Sequence, residues 1–445
     1  MRSIFKRCIV SLLTLEARLV VRKYKPHIVA ITGSVGKTST KDAIYAVLSG
    51  AHHVRKSDKS FNSEIGLPLT ILGVPNAWNN PLHWIQNLVD GLFLVLFKAA
   101  YPKWLVLEVG ADRPGDISSL AAWLPVDIAV ITHLPEVPVH VEFFDSPEAV
   151  VQEKASLINA LSSAGTVVIY ADDTRKDVLI KKAEKHGAKI LTFGLSDGAD
   201  VQAGEFSLMH PSVEGEETKH AWPLGIEGHI TSPQGTIPVS LRGTLGSHAA
   251  LPAVAAAAVG HVVGMDTQKI AQGLATYKTP PGRMHLLEGI KDSLVIDDTY
   301  NSSPTAVESA IDALNSVFKD RSKKSGRRIA LLGDMLELGR HSVEEHRKLG
   351  AYVAKKVDIL CTVGFRARDI AQGALDNGLK DGAIFQYEDS ERAGDELAEF
   401  IQPGDCILVK GSQSMRMEKA VEHLMREPER ARELLVRQEL NWKNR

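Results

Sequence analysis

Residues 32–39 read TGSVGKTS, follow the apolar run HIVAIT and lead into KDAIYAVLSG. Glycines at 33 and 36 let backbone N–H groups turn inward around phosphate oxygens. A helix that begins there adds its partly positive N-terminus. Lys37 offers a point charge to β and γ phosphates, and Thr38 offers a hydroxyl to Mg²⁺. Ser34, Val35 and Ser39 complete the loop backbone. The strict pattern G-x-x-x-x-G-K-[ST] asks for Gly at 31, where this chain has Ile31, so the loop is shorter than the standard one. The bland alternative is a chance GKT on a turn. The coincidence of strand, glycines, lysine and helix favours the phosphate loop, which implies a nucleotide and names no reaction.

Two more side chains stand out on physical grounds. Glu108 closes the apolar run LVLEVG, and a carboxylate at a strand's carboxyl end near a phosphate loop is well placed for Mg²⁺. The alternative is an exposed acid at a strand end. Lys154 lies in EAVVQEKASLINAL, after Ser146 as N-cap and Pro147 at the first helical position. Val150, Val151, Leu157, Ile158 and Leu161 form the apolar stripe, and Lys154 falls on it at helical spacing. A buried ammonium tends to lose its proton. The neutral amine can take up CO₂ and become a carbamate, an anion able to bind Mg²⁺. The competing reading is a lysine snorkelling from the stripe's edge.

The elements that position these residues follow from the alternation of short β-branched runs with helical stretches. Residues 27–33, 104–110, 127–133, 165–173 and 188–194 read as strands of a mostly parallel sheet. Residues 200–245 are rich in Gly, Pro, Ser and Thr and predict antiparallel strands, before the helical stretch LPAVAAAAVGHVVG. Near Pro280–Pro281–Gly282 the chain changes domain. LVIDDTY, RRIALLGDM, VDILCTVG, AIFQY and DCILVKGS then supply strands between helices. Residues 426–445 mix both charges and predict a solvated terminal helix. The expected class is α/β: a P-loop-type central domain over 27–280 with a mostly parallel sheet, and a C-terminal Rossmann-like α/β domain over 281–445. A basic amphipathic segment, 1–26, precedes them.

The 445 residues are enough for two or three domains. A composition of 44% hydrophobic and 24% charged residues fits a soluble globular chain. With 52 Lys plus Arg against 54 Asp plus Glu, no nucleic-acid partner is expected. Cys8, Cys361 and Cys406 lack metal-ligand spacing and fit a reducing cytoplasm. Residues 1–25 carry seven Lys or Arg and one acid, and the largely apolar Trp84–Phe97 contains Asp90. The apolar runs within them, Ile9–Leu15 and Trp84–Phe97, are both shorter than the roughly 20 residues that span a bilayer. They read as amphipathic or buried helices, or as a peripheral contact with an anionic membrane surface.

From the TGSVGKTS loop onward the chain resembles the Mur ligase family through nearly all of residues 28–425. FNSEIGLPLTIL (61–72), LVLEVGADRPGDI (105–117), the spacing of His140 to Lys154, PGR (281–283), DDTYNSSP (297–304), LLGDMLELG (331–339) and VKGSQSMRME (409–418) keep the family's order. The last three resemble most the branch that adds D-alanyl-D-alanine to a muramyl peptide. The resemblance implies ATP-dependent formation of an amide through an acyl phosphate, with a muramyl-peptide or similar carboxylate as acceptor and a dipeptide or amino acid as amine, in a monomer.

It also implies roles. Thr38 and Glu108 hold one Mg²⁺; His140 and a carbamylated Lys154 hold a second. Lys37 and Arg283 meet the transferred phosphate. Asp298 binds the ATP ribose, with Asn301 and Tyr300 shaping the nucleotide pocket. Asp334, Glu337, Lys410, Ser412 and Arg416, at or beyond strand ends, face the incoming amine. The alternatives for both clusters are turn and cap residues. Two departures stand out. Only about 27 residues precede the first strand, too few for the family's uridine-binding N-terminal domain. HAALP (248–252) stands where relatives have His-Asn-x-x-Asn, so Ala249 and Pro252 replace both asparagines. A folylpolyglutamate-synthetase-type glutamate ligase and a P-loop nucleotide-hydrolysing switch are the competing readings.

Overall fold

Unbroken runs of Val, Ile and Leu become strands buried on both faces, as the cover of helices on each side requires. The computed structural model describes residues 2–58, 64–78, 80–211, 222–318, 326–439 and 442, of which 2–7 by backbone alone. Phe61, Asn62 and Ser63, the start of the FNSEIGLPLTIL segment, lie outside the described residues.

The first sheet comprises β1 (His27–Thr32), β2 (Val54–Lys56), β3 (Trp104–Glu108), β4 (Val126–Ile131), β5 (Leu161–Tyr170), β6 (Lys189–Gly194), β7 (Val201–Ala203), β8 (Ser207–Met209), β9 (Gly225–Ser232) and β10 (Gly235–Arg242). Their order is β10-β9-β7-β6-β5-β4-β1-β3-β2, with β8 paired to β9. The strands from β2 to β7 are parallel, and β8, β9 and β10 add antiparallel pairs where Gly- and Pro-rich sequence predicted them.

Nine helices accompany this sheet: α1 (Arg2–Tyr24), α2 (Lys37–Ser49), α3 (Gly66–Leu72), α4 (Pro81–Leu96), α5 (Asp116–Ala121), α6 (Pro147–Ala155), α7 (Lys176–His186), α8 (Leu251–Val263) and α9 (Thr267–Ala275), counted among the described residues. The helix α1 is docked on the sheet's own core: Ile9, Leu13, Ala17, Val20 and Val21 are buried with Leu69, Ile71 and Leu72 of α3 and Trp84 of α4. Burial of each large apolar side chain contributes roughly 1.5–3 kcal/mol. On the other face α8 is buried along most of its length, and Pro252 sits in its first turn, where a missing N–H costs nothing.

The second sheet comprises β11 (His285–Glu288), β12 (Leu294–Asp298), β13 (Arg328–Gly333), β14 (Ile359–Val363), β15 (Ile384–Tyr387) and β16 (Cys406–Lys410), in the order β11-β12-β16-β13-β14-β15. All pairs are parallel except β11 with β12. Helices α10 (Pro304–Ser316), α11 (Ser342–Val353), α12 (Arg368–Asp376), α13 (Ser390–Phe400) and α14 (Glu418–Leu424) connect the strands. The tail differs from the solvated helix its charges predicted. Only short turns form between 428 and 434, and Ala431, Leu435 and Arg437 are buried. Mixed charge had suggested full solvation; the apolar Leu434–Val436 run and one buried arginine fold the tail back instead.

Candidate active site

Strand β1 lies between β3 and β4, so its carboxyl end opens where strands diverge to both sides, the place where open α/β sheets bind ligands. The loop 33–36 sits there. Gly33 has φ 143° and Gly36 φ 84°, and a Cβ on Gly33 would come within 2.0 Å of Thr132 Oγ1. Only glycine fits that approach. Ser34 N and Val35 N donate to His133 O at 2.9 and 3.3 Å, which fixes the loop to the end of β4. Gly36 caps α2, whose first residue is Lys37.

The side chains then converge. Lys37 Nζ donates to Gly33 O at 2.9 Å. Lys154, 1% exposed, donates to the same Gly33 O at 2.9 Å and to Ser34 Oγ at 3.1 Å. It reaches the loop because Ser146 Oγ accepts from Ala149 N at 3.2 Å and Pro147 starts α6, so that Lys154 points inward with Val150 and Val151. Burial pushes the Lys154 ammonium well below the ordinary lysine range; nearby Lys37 lowers it further and Asp112 offsets part of the fall. Desolvation also lowers Lys37, with Glu108 opposing, Arg283 adding and Asp112 opposing.

Thr38 Oγ1 donates to Glu108 Oε1 at 3.2 Å. Glu108 is buried at the end of β3, in register with Ile31. Its Oε2 accepts no hydrogen bond among the described residues and lies 3.9 Å from Lys41 Nζ. Ser39 is buried against the Tyr277 hydroxyl.

His140 has φ 70°, a left-handed conformation held by the 141–143 turn. Its Nε2 lies 3.7 Å from Asp112 Oδ1 and its Nδ1 2.6 Å from Glu337 Oε2. Asp112 therefore ties His140 to the two lysines by charge. Sequence reasoning missed it, although it stands four residues past Glu108 in the same strand-end segment. Glu337, expected on the amine side, meets His140 instead, and Glu142 N donates to Glu337 O at 3.4 Å.

Arg283 stacks over Tyr300 at 3.9 Å from the ring centroid, and its charge reaches Lys37 and Lys410. Asp298 and Lys410 are register partners on β12 and β16, paired at 2.6 Å and both buried. Asp298 Oδ1 accepts from Met284 N, and Lys410 also donates to Asn301 O. Asn301 Oδ1 accepts from Ser302 N. The neighbouring Asp297 receives Gly282 N and Thr299 Oγ1, and burial lifts its carboxyl to about 6.

The remaining candidates of the second half hold loops in place. Asp334 Oδ1 accepts from Ala367 N at 2.7 Å, and Ser412 Oγ accepts from Leu336 N at 2.8 Å. Arg416 (φ 54°) donates from Nε to Glu418 Oε1 at 2.5 Å and from a terminal nitrogen to Trp442 O at 2.7 Å. Arg437, also missed, bonds Glu418 Oε2 at 2.7 Å and the carbonyls of Thr299 and Tyr300. Its mixed-charge surroundings in sequence gave no signal of burial.

Fold and loop together define a phosphate-loop nucleotide-binding protein whose site draws on two α/β units. A family model described as the Mur ligase middle domain matches residues 31–260, and one described as the Mur ligase glutamate ligase domain matches 282–413. The chain belongs to the Mur ligase family. It is 30% identical over 413 residues to the UDP-N-acetylmuramoyl-tripeptide–D-alanyl-D-alanine ligase of Bacillus subtilis, covering 93% of this chain and 79% of that one. The MurF ligase from Thermotoga maritima, solved in complex with ADP, superposes with a TM-score of 0.73 at 28% identity over 95% of this chain and 84% of that one. MurF from Acinetobacter baumannii shares the fold, with a TM-score of 0.74 at 23% identity over 93% and 79%.

Proposed function

We propose that the chain is an ATP-dependent carboxylate–amine ligase that adds D-alanyl-D-alanine to a muramyl-peptide precursor of peptidoglycan. The observation that supports this most is the convergence of Lys37 and Lys154 on Gly33 O beside the Thr38–Glu108 pair. The family and the ADP complex of a relative support the nucleotide.

In this reading an acceptor carboxylate oxygen attacks the γ-phosphorus of ATP and ADP leaves, giving an acyl phosphate. The amine nitrogen then attacks the acyl carbon, phosphate leaves, and a proton is released as the amide forms. Activation replaces an oxide leaving group by phosphate, so the protein's work is positioning and charge neutralisation. The loop amides and Lys37 cradle the phosphates, and Arg283 reaches them from the second half. Asp298, propped by Lys410, faces the ribose, with Asn301 and Tyr300 beside it.

Metal ions suit the site. Glu108 Oε2, buried and without a hydrogen bond among the described residues, would hold one Mg²⁺ together with the Thr38 hydroxyl. His140 and Lys154, once carbamylated, would hold a second. Bound there, the ions would supply positive charge against the phosphate oxygens. Residues 27–280 would then carry the nucleotide and 281–445 the amine, and closure between them completes the site. Asp334, Ser412 and Arg416 shape the amine side by holding its loops.

The deciding experiment is mass analysis of products after incubation with ATP, Mg²⁺, D-alanyl-D-alanine and UDP-linked or lipid-linked muramyl tripeptides. The expected product carries both added alanines and forms only with acceptor and amine together. Phosphate release without a peptide product would indicate a nucleotide-hydrolysing switch, and glutamate addition to folate a folylpolyglutamate-type ligase.

A further inference from the structure

The helix α4 is apolar on two sides. Its inner side packs Trp84 and Gly91 toward the core. Its outer side turns Leu82, Ile85, Val89, Leu92, Phe93 and Leu96 to solvent, each between 48% and 74% exposed. Their spacing of three and four residues makes one continuous stripe along the helix. Trp78, just before the helix, and Phe97, at its end, are exposed as well. Beside it, α1 adds the exposed Leu12, Leu15 and Leu19, while Ile9, Leu13 and Ala17 of the same helix face inward. A contiguous apolar area of this kind marks an interaction surface.

Charge identifies the occupant. Glu16 lies against Gly91, and Lys23 Nζ donates to the carbonyls of Leu94, Val95 and Phe97 at 2.9, 3.0 and 2.5 Å. The two helices therefore run side by side in one direction, and the basic end of α1 is fastened to the end of the stripe. Arg22, Lys23, Lys25 and Lys98 are exposed around that end, and Asp90 is the one acid within α4. Residues 1–25 hold seven Lys or Arg and one acid in a chain whose net charge is −2. An apolar stripe with aromatic ends and a cationic border matches an anionic lipid surface, where tails accept the stripe and headgroups the cations. No helix among the described residues is long and apolar enough to cross a membrane.

We propose that the α1–α4 face seats this protein on anionic membranes, with the α4 stripe entering the boundary between headgroups and acyl chains. The proposal does not depend on the identity of the acceptor.

The test is co-sedimentation of the full chain with vesicles of phosphatidylcholine alone or mixed in equal parts with phosphatidylglycerol. Binding to the mixed vesicles should exceed binding to the neutral ones about tenfold and weaken with salt. The doubly substituted Val89→Glu/Phe93→Glu chain should lose about tenfold or more in partitioning at an unchanged melting temperature. Arg22→Glu/Lys98→Glu, which leaves the apolar stripe intact, should lose the preference for anionic vesicles. A chain that stays in solution with both vesicle types overturns the proposal, as does undiminished binding by both variants. So does a soluble dimer that Val89→Glu/Phe93→Glu dissolves, which would assign the face to a second copy.

Discussion

Lys37 and Lys154 donate to one acceptor, the carbonyl oxygen of Gly33, each at 2.9 Å. Two ammonium groups cannot share that oxygen cheaply, and the more deeply buried Lys154 is the one driven toward the neutral amine. Its folded pKa lies below the unfolded value, so folding releases a proton and stability falls as pH drops below the ordinary lysine range. Lys154→Met should therefore melt higher than the parent chain at neutral pH, by a margin that widens as pH falls. Ligase activity should drop about 100-fold or more in Lys154→Ala. Short carboxylic acids should restore part of it, and removal of CO₂ should slow the parent chain. Full activity of Lys154→Ala without additive would falsify the carbamate role.

Lys37→Ala removes the loop's point charge without touching Glu108 or Thr38. A loss of about 3–4 kcal/mol in transition-state stabilisation, or roughly 100- to 1,000-fold in kcat, is expected. Coupled measurement of ADP release checks it. A change confined to the KM for ATP would mean that Lys37 binds ground and transition states alike.

Glu337 orients His140, and His140 holds the Glu337 carboxyl below its ordinary range. The carboxylate therefore stays ionised at neutral pH, and its contribution is lost only as pH falls below the usual carboxylate value. On the metal-holding role proposed for His140, Glu337→Gln should lower kcat about 10- to 100-fold. The KM for the amine should stay constant. A rise in that KM at constant kcat would instead make Glu337 a substrate contact.

Arg437 ties the tail to Glu418 and to the backbone carrying Tyr300, on which Arg283 stacks. Arg437→Ala leaves the fully buried Glu418 with Arg416 as its remaining ion-pair partner among the described residues. Urea denaturation should show a loss on the order of 3 kcal/mol. The KM for ATP should rise several-fold, because Tyr300 loses its support. An unchanged KM at reduced stability would confine the residue to the fold.

Glu16 sits in the α1–α4 contact with its Oε2 buried and no hydrogen bond to it among the described residues, and burial lifts its carboxyl to about 7. The folded chain holds that proton between about 4.5 and about 7, where the unfolded chain has lost it, so stability declines as pH rises through this window. Glu16→Gln should flatten the decline and add about 1–3 kcal/mol at pH ~8. Denaturation midpoints of both chains at acid and alkaline pH settle the point; parallel declines would show that another group is responsible.

The sequence by itself determined the local pieces. Apolar runs marked the strands of both sheets, TGSVGKTS marked the turn into α2, and the stripe around Lys154 placed a cation on a buried face. Each of these is written in residues a few positions apart, where helix and strand periodicity act directly. Only the tertiary structure decided which pieces meet. Strand order brought Lys154 to Gly33, 121 residues away. Register set Lys410 under Asp298. The seating of the second half carried Glu337 to His140, and packing folded the mixed-charge tail inward while leaving one apolar side of α4 outside. Contacts between distant segments depend on how whole layers stack, and no local spacing encodes that.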